Sequence, residues 1–105
     1  MRQEEIKALL KSLGARKSEI QVYVLLRLHR DPLPVSEIVR SSGLSEKTVR
    51  SALESLMNRG LVVRVGRGRG TKYRAMGTRK LMSLVKKRIE EGVRELFTRL
   101  QFRSW

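Results

Sequence analysis

Glu46, Lys47 and Arg50 fall within about one helical turn of each other, and a cluster of arginines with no acid among them follows a short apolar run later. The chemistry these residue types offer is recognition of a polyanion. An arginine fork makes a bidentate contact to guanine O6 and N7, a lysine reaches guanine or phosphate, and a glutamate accepts from cytosine N4. Ser45 and Thr48, beside free backbone N–H groups at a helix start, suit a phosphate. Ser36 and Ser51 complete the candidate set on the helical part. Between Leu61 and Lys80 stand Arg64, Arg67, Arg69, Lys72, Arg74, Arg79 and Lys80, seven cations that carry half of the chain's net charge of +14. Unbalanced like charge destabilises a compact state, so a cluster of this kind implies an anionic partner that offsets the repulsion. Arg67 and Arg69, set between glycines, can approach a narrow minor groove, whereas Arg64, Lys72 and Arg74 flank them and suit phosphates.

Other chemistries find little material. The chain has no cysteine and a single histidine, His29, in 105 residues. That excludes disulfides, zinc fingers and thiol nucleophiles, and no spacing of His, Asp and Glu suggests a metal or an acid–base pair. His29 closes a helix beside Arg27 and Arg30, where a cap or dipole contact is the ordinary role. Gly66, Gly68 and Gly70 do not form a dinucleotide fingerprint, because Thr71 is not a glycine and no helix follows at the required place. The expectation is a protein that is not an enzyme, with no cofactor, no metal and no small-molecule ligand. With 24 Lys and Arg against 10 Asp and Glu, the composition is that of a nucleic-acid binder, an anionic membrane being the competing partner. No apolar run reaches the roughly 18 residues of a membrane span, and the first residues open a polar helix rather than a signal peptide. A cytoplasmic, nucleoid-associated protein is expected.

The positioning elements follow from periodicity and punctuation. Ile6, Leu9, Leu10 and Leu13 recur at helical spacing in a first helix over residues 2–13, stopped by Gly14. A densely apolar second helix, residues 16–30, contains Ile20, Val22, Tyr23, Val24, Leu25, Leu26 and Leu28 and should be central. Asp31-Pro32-Leu33-Pro34 ends it. A short third helix spans Val35 to Ser42 and breaks at Gly43. Ser45 caps a fourth, in which Val49, Ala52, Leu53, Leu56 and Met57 form the buried stripe, leaving Glu46, Lys47, Arg50, Ser51 and Glu54 outward. Val62–Val65 and Thr71–Ala75 are β-prone and flank a glycine-arginine segment, which reads as a hairpin with a flexible tip. A long last helix runs from Thr78 to about Phe102.

The order Ser36-Glu37-Ile38-Val39, then Gly43-Leu44-Ser45, Thr48-Val49-Arg50, Leu53, Leu56 and Gly60-Leu61-Val62, resembles the winged helix-turn-helix of archaeal and bacterial transcription regulators, in particular the TrmB and MarR-like groups. The resemblance covers residues 6–80. It implies a mainly α fold with a small β-hairpin wing, in which the fourth helix enters the major groove of double-stranded DNA and the wing meets the adjacent minor groove or backbone. TrmB regulators usually continue into a large sugar-binding domain. The chain stops at Trp105, so a regulator without an effector domain is expected.

The last helix asks for a partner of its own. Its apolar positions, Leu84, Val85, Ile89, Val93, Leu96, Phe97 and Leu100, run past the reach of a compact monomer. The expectation is one domain in two parts, residues 1–80 binding DNA and residues 81–105 forming a homodimer. The first-helix residues Ile6, Leu9, Leu10 and Leu13 are candidate additions to that interface, and Gly92 marks a close helix crossing. Two-fold symmetry would place two recognition helices on a pseudo-palindromic site. The function expected is specific or semi-specific duplex binding as a transcription regulator. The alternatives are a winged-helix protein-interaction module, or an RNA-binding or architectural chromatin protein.

Overall fold

The helices stop where the sequence supplies a stop. In the computed structural model, which describes residues 2–103, the chain forms helices α1 (Gln3–Ser12), α2 (Lys17–Leu28), α3 (Val35–Ser42) and α4 (Glu46–Asn58). Strands β1 (Val62–Val65) and β2 (Lys72–Ala75) and helix α5 (Thr78–Arg103) follow. Gly43, at φ 73°, provides the left-handed residue that ends α3 and accepts no side chain without strain. Ser45 then caps α4 as expected, its Oγ accepting from the Thr48 N–H at 3.1 Å. Trp105 lies outside the described residues.

Helix α2 is the hub because it is apolar on most of its surface. It packs against α1, α3, α4 and β2. Val22 and Tyr23 are completely buried, in one core with Leu10, Ile38, Val49, Ala52, Leu53, Leu56, Leu61 and Leu81. Each buried valine, leucine or isoleucine of this set contributes about 1.5–3 kcal/mol relative to exposure, and Ala52 less. The Tyr23 hydroxyl donates to the Met76 carbonyl at 2.7 Å, so a buried phenol keeps its partner and ties α2 to the exit of the hairpin. Leu28, read with the central run, is instead 68% exposed, because α2 ends there and the chain turns away.

The strands pair antiparallel with Val62 opposite Ala75, Val63 opposite Arg74, Arg64 opposite Tyr73 and Val65 opposite Lys72. Leu33, read from sequence only as part of a helix stop, adds a bridge on the other side of β2. It donates to Tyr73 at 2.9 Å and accepts back from the Tyr73 N–H at 2.8 Å. This reciprocal pair fixes the hairpin to the segment leading into α3, so wing and helix-turn-helix are held as one unit.

Two expectations for the apolar helices need correction. Ile6, Leu10 and Leu13, proposed for a dimer interface, are 6%, 0% and 6% exposed and fill the protomer's own core, with Leu9 packed at its edge. They are therefore not available to a second copy. Leu84 and Val85 are half-buried against the same core, so they also face inward in part. The reason is that α5 crosses α1, with Leu81 fully buried and Arg88 donating to the Leu13 carbonyl at 3.3 Å. Beyond that point α5 leaves the body, and the molecule measures 61 Å along one axis against 27 and 23 Å along the others.

Candidate nucleic-acid interface

Helix α4 sorts its residues by turn. Val49, Ala52, Leu53 and Leu56 are buried, and Glu46, Lys47, Arg50, Ser51 and Glu54 are exposed. At 3.6 residues per turn the exposed five fall within an arc of about 140°, opposite the buried four. That is a continuous outward face, and it is the face expected from the sequence. Its side chains already have local partners. Arg50 pairs with Glu46 at 3.2 Å, both ends well exposed. An exposed pair of this spacing contributes about 0.3–0.5 kcal/mol, so a guanine competes for the guanidinium at little cost. The Ser45 hydroxyl, besides capping the helix, donates to Thr48 Oγ1 at 2.9 Å. Of these two hydroxyls, only that of Thr48 keeps a proton for a phosphate. Ser36, in the first turn of α3, is exposed.

Sequence reasoning missed Arg16. Its Nη2 donates to Ser51 at 3.4 Å, which places a cation from the start of α2 beside the outward face of α4. Its Nε is held at 2.8 Å by Glu19, a carboxylate only 2% exposed, and Arg59 Nε lies 3.8 Å from the other Glu19 oxygen. Arg59 also donates to the Leu13 carbonyl at 2.9 Å. Glu19 thus links the start of α2 to the end of α4. The Arg-x-x-Glu spacing was legible as a local helix pair, but its burial under Arg59 depends on tertiary contacts.

The hairpin tip forms a single 3-10 turn over Gly68–Gly70. Thr71 closes it, its N–H and hydroxyl both reaching the Gly68 carbonyl, at 3.2 and 2.8 Å. Gly66 sits at φ 85°, and a Cβ there would lie 2.5 Å from the Gly70 carbonyl oxygen, so the tip closes only over a glycine. Arg67 and Arg69 are exposed on this turn.

The flanking cations are not one group. Residues directly opposite in an antiparallel pair share a face. Arg64 therefore lies on the face of its partner Tyr73, which turns into the core, and Lys72 and Arg74 lie on the opposite, outer face. Arg74 lines a recess with Arg27, His29 and Arg30 at the end of α2, so the structure brings it to the base of the wing rather than to the tip. His29 acts as the helix cap expected: it sits in the C-cap position, and its Nδ1–H donates to the Leu25 carbonyl at 2.9 Å. Among the described residues no cluster of three or more His, Cys, Asp or Glu is placed to hold a metal, and no helix is long and apolar enough to cross a membrane.

Residues 10–79 match the family described as "Sugar-specific transcriptional regulator TrmB". The chain belongs to the TrmB family. The TrmB assignment makes it a transcription regulator rather than an enzyme, and the five helices with a two-stranded wing are the winged helix-turn-helix fold. A possible transcriptional regulator from Methanosarcina mazei Go1 superposes with a TM-score of 0.79 at 13% identity, over 96% of this chain and 88% of that one. A protein of the archaeon Sulfolobus tokodaii superposes at 0.70 with 22% identity, over 89% of this chain and 99% of that one. TrmBL2, described as an archaeal chromatin protein, superposes at 0.74 with 20% identity, over 96% of this TrmB-family chain and 38% of the larger one. No curated protein matches the chain.

Proposed function

We propose that this regulator binds double-stranded DNA as a homodimer, with α4 in the major groove and the wing tip on the neighbouring minor groove or backbone. The observation that carries the reading is the outward arc of α4, which holds Lys47 and Arg50 and is followed in the chain by a closed turn bearing Arg67 and Arg69. The solved structure of TrmBL2 is described as showing a mode of DNA binding, which supports the same partner here. Arg50 reads a base after leaving Glu46, while the wing arginines, the flanking cations and Ser36 neutralise or hydrogen-bond phosphates. Homodimerisation is supported by the exposed stripe on α5, where Ile89, Val93, Leu96, Phe97 and Leu100 are each 55–61% exposed. A stripe of that size on water is a pairing surface. Gly92 stands beside it with open space around it, room for a close crossing by a second helix.

The test is selection of binding sites from random duplexes at two ionic strengths, followed by variants on the selected site. Arg50→Ala should weaken the selected site by about 1–3 kcal/mol and relax preference at one position, with little loss on random duplex. Equal losses on both would remove Arg50 from base reading. Replacing Arg67 and Arg69 together by alanine should weaken all duplexes and lower the salt slope by about one unit per lost phosphate. Absence of any duplex complex at low salt would end the proposal.

A further inference from the structure

A second cationic surface lies at the opposite end of the hairpin from the tip. A recess of about 480 Å³ is lined by Arg27, His29 and Arg30 from the end of α2 and by Arg74 from β2. All four side chains are exposed, no acid lines the recess, and no hydrogen bond or ion pair among the described residues engages the guanidinium of Arg27, Arg30 or Arg74. Three unpaired guanidiniums gathered at one place repel each other, and no acid among the lining residues offsets that repulsion. His29 uses Nδ1 on the Leu25 carbonyl, which leaves Nε2 free.

The recess is continuous with the wing. Lys72 and Arg74 lie on the same outer face of β2, two residues apart, or about 6.6 Å along a strand. From the tip the outer face therefore runs through Lys72 to Arg74 and on to Arg27 and Arg30, a track of cations rather than a closed pocket. Because the track is open, a small free anion would remain largely hydrated in it. A polyanion gains instead by releasing counterions at each contact.

We propose that this track holds the phosphodiester backbone of duplex DNA lying beyond the site read by α4 and the wing tip, so that the bound segment is longer than those two elements alone require. The inference rests on the duplex-binding reading and extends it to residues outside the winged motif's groove-facing parts. Arg27 and Arg30 supply charge to phosphates without reading sequence, and Arg74 couples the recess to the wing.

The test compares the full chain with the variant Arg27→Ala plus Arg30→Ala, and with Lys7→Ala plus Lys11→Ala on α1 as a control of equal charge change. All four positions are exposed, so the fold is expected to survive, and circular dichroism checks it. Affinity is measured from 50 to 200 mM salt on a duplex trimmed to the selected site and on one extended by about one helical turn at each end. The recess variant should lower the salt slope by about two units per bound protomer on the extended duplex and change little on the trimmed one, with losses independent of the added sequence. The control pair should leave the slope on the extended duplex close to that of the unaltered chain. Equal losses for both pairs, or an unchanged slope for the recess pair, would overturn the inference. So would binding of inorganic pyrophosphate that is lost in the recess variant while duplex affinity is unaffected, which would assign the recess to a free phosphate compound. If the unaltered chain binds no duplex, the failure lies in the function proposed above.

Discussion

The two ends of α5 share one helical periodicity and have opposite environments. At its start Leu81 is completely buried and Leu84 and Val85 are half-buried against the body, whereas at its far end Val93, Leu96 and Phe97 are 61%, 57% and 61% exposed. Apolar spacing marks both ends as sticky without saying what covers them. Burial in the protomer defines the first as structural. The second has no covering element among the described residues, and association is the task proposed for it above. The same contrast separates α5 from α1, whose Ile6, Leu10 and Leu13 looked equally available in sequence and turned out to be core.

That contrast breaks cleanly with paired variants. Leu81→Ala should cost about 2–5 kcal/mol of unfolding free energy, read as a lower midpoint in denaturant, because it leaves a cavity in the core where α5 packs on α1. Val93→Asp with Phe97→Asp should leave the unfolding of the isolated protomer within about 0.5 kcal/mol, since both side chains are solvent-facing there. Sedimentation should nonetheless show the double variant as a monomer at concentrations where the unaltered chain is a dimer. If the acidic pair leaves the assembly unchanged, the far end of α5 is not the interface. If it unfolds the protomer at low concentration, folding and association are inseparable, and the division of α5 into two roles fails.

A smaller effect is expected inside the body at Glu19. Its carboxylate is 2% exposed, lies 2.8 Å from Arg16 and 3.8 Å from Arg59, and has one oxygen without a hydrogen bond among the described residues. Glu19→Gln keeps the shape and removes the charge that holds the two guanidiniums. The expected loss is about 1–3 kcal/mol, discounted because Arg16 is largely in solvent. A second readout separates this from α5. Sedimentation of the folded Glu19→Gln protein should be unchanged, whereas duplex affinity should fall if Arg16 reaches phosphate beside Ser51.

How much of this was legible beforehand divides along the same line. Elements set by local chemistry were read closely: Val35–Ser42 and Val62–Val65 have the bounds expected, and Ser45 caps α4 through its own side chain. The outward face of α4 followed from spacing alone. What failed was whatever depends on residues far apart in the chain. The Leu33 bridge to Tyr73 needs a partner 40 positions away, and Leu33 between two prolines gives no strand signal. The separation of Arg64 from Lys72 and Arg74 needs the hairpin register, and a shift of one residue reverses every face. The burial of Glu19 needs α4 to end with Arg59 above it. In the candidate site, residue types and the helix face were readable, but the neighbours of Arg16 and Arg74 were not.

The smallest expected effect tests how tightly the body is closed around its central helix. Tyr23 is fully buried and its hydroxyl donates to the Met76 carbonyl. Burial raises its pKa above the ordinary 10.0, with the nearby Arg27 guanidinium pulling the other way. The phenol is favoured in its neutral form by the fold, so its contribution is fully present below pH 10 and declines as pH rises past the point where the unfolded chain ionises. Tyr23→Phe removes the hydrogen bond and should cost about 1 kcal/mol at neutral pH. Lysine titration affects both proteins alike, so the difference between them isolates Tyr23. That difference should narrow above pH 10, since only the tyrosine form can take on a negative charge, which the core disfavours. A gap that stays constant to pH 11 would mean that the folded phenol ionises as easily as an exposed one. The contact with Met76 would then be open to water, and the wing would be tied to α2 less firmly than the base of the recess requires.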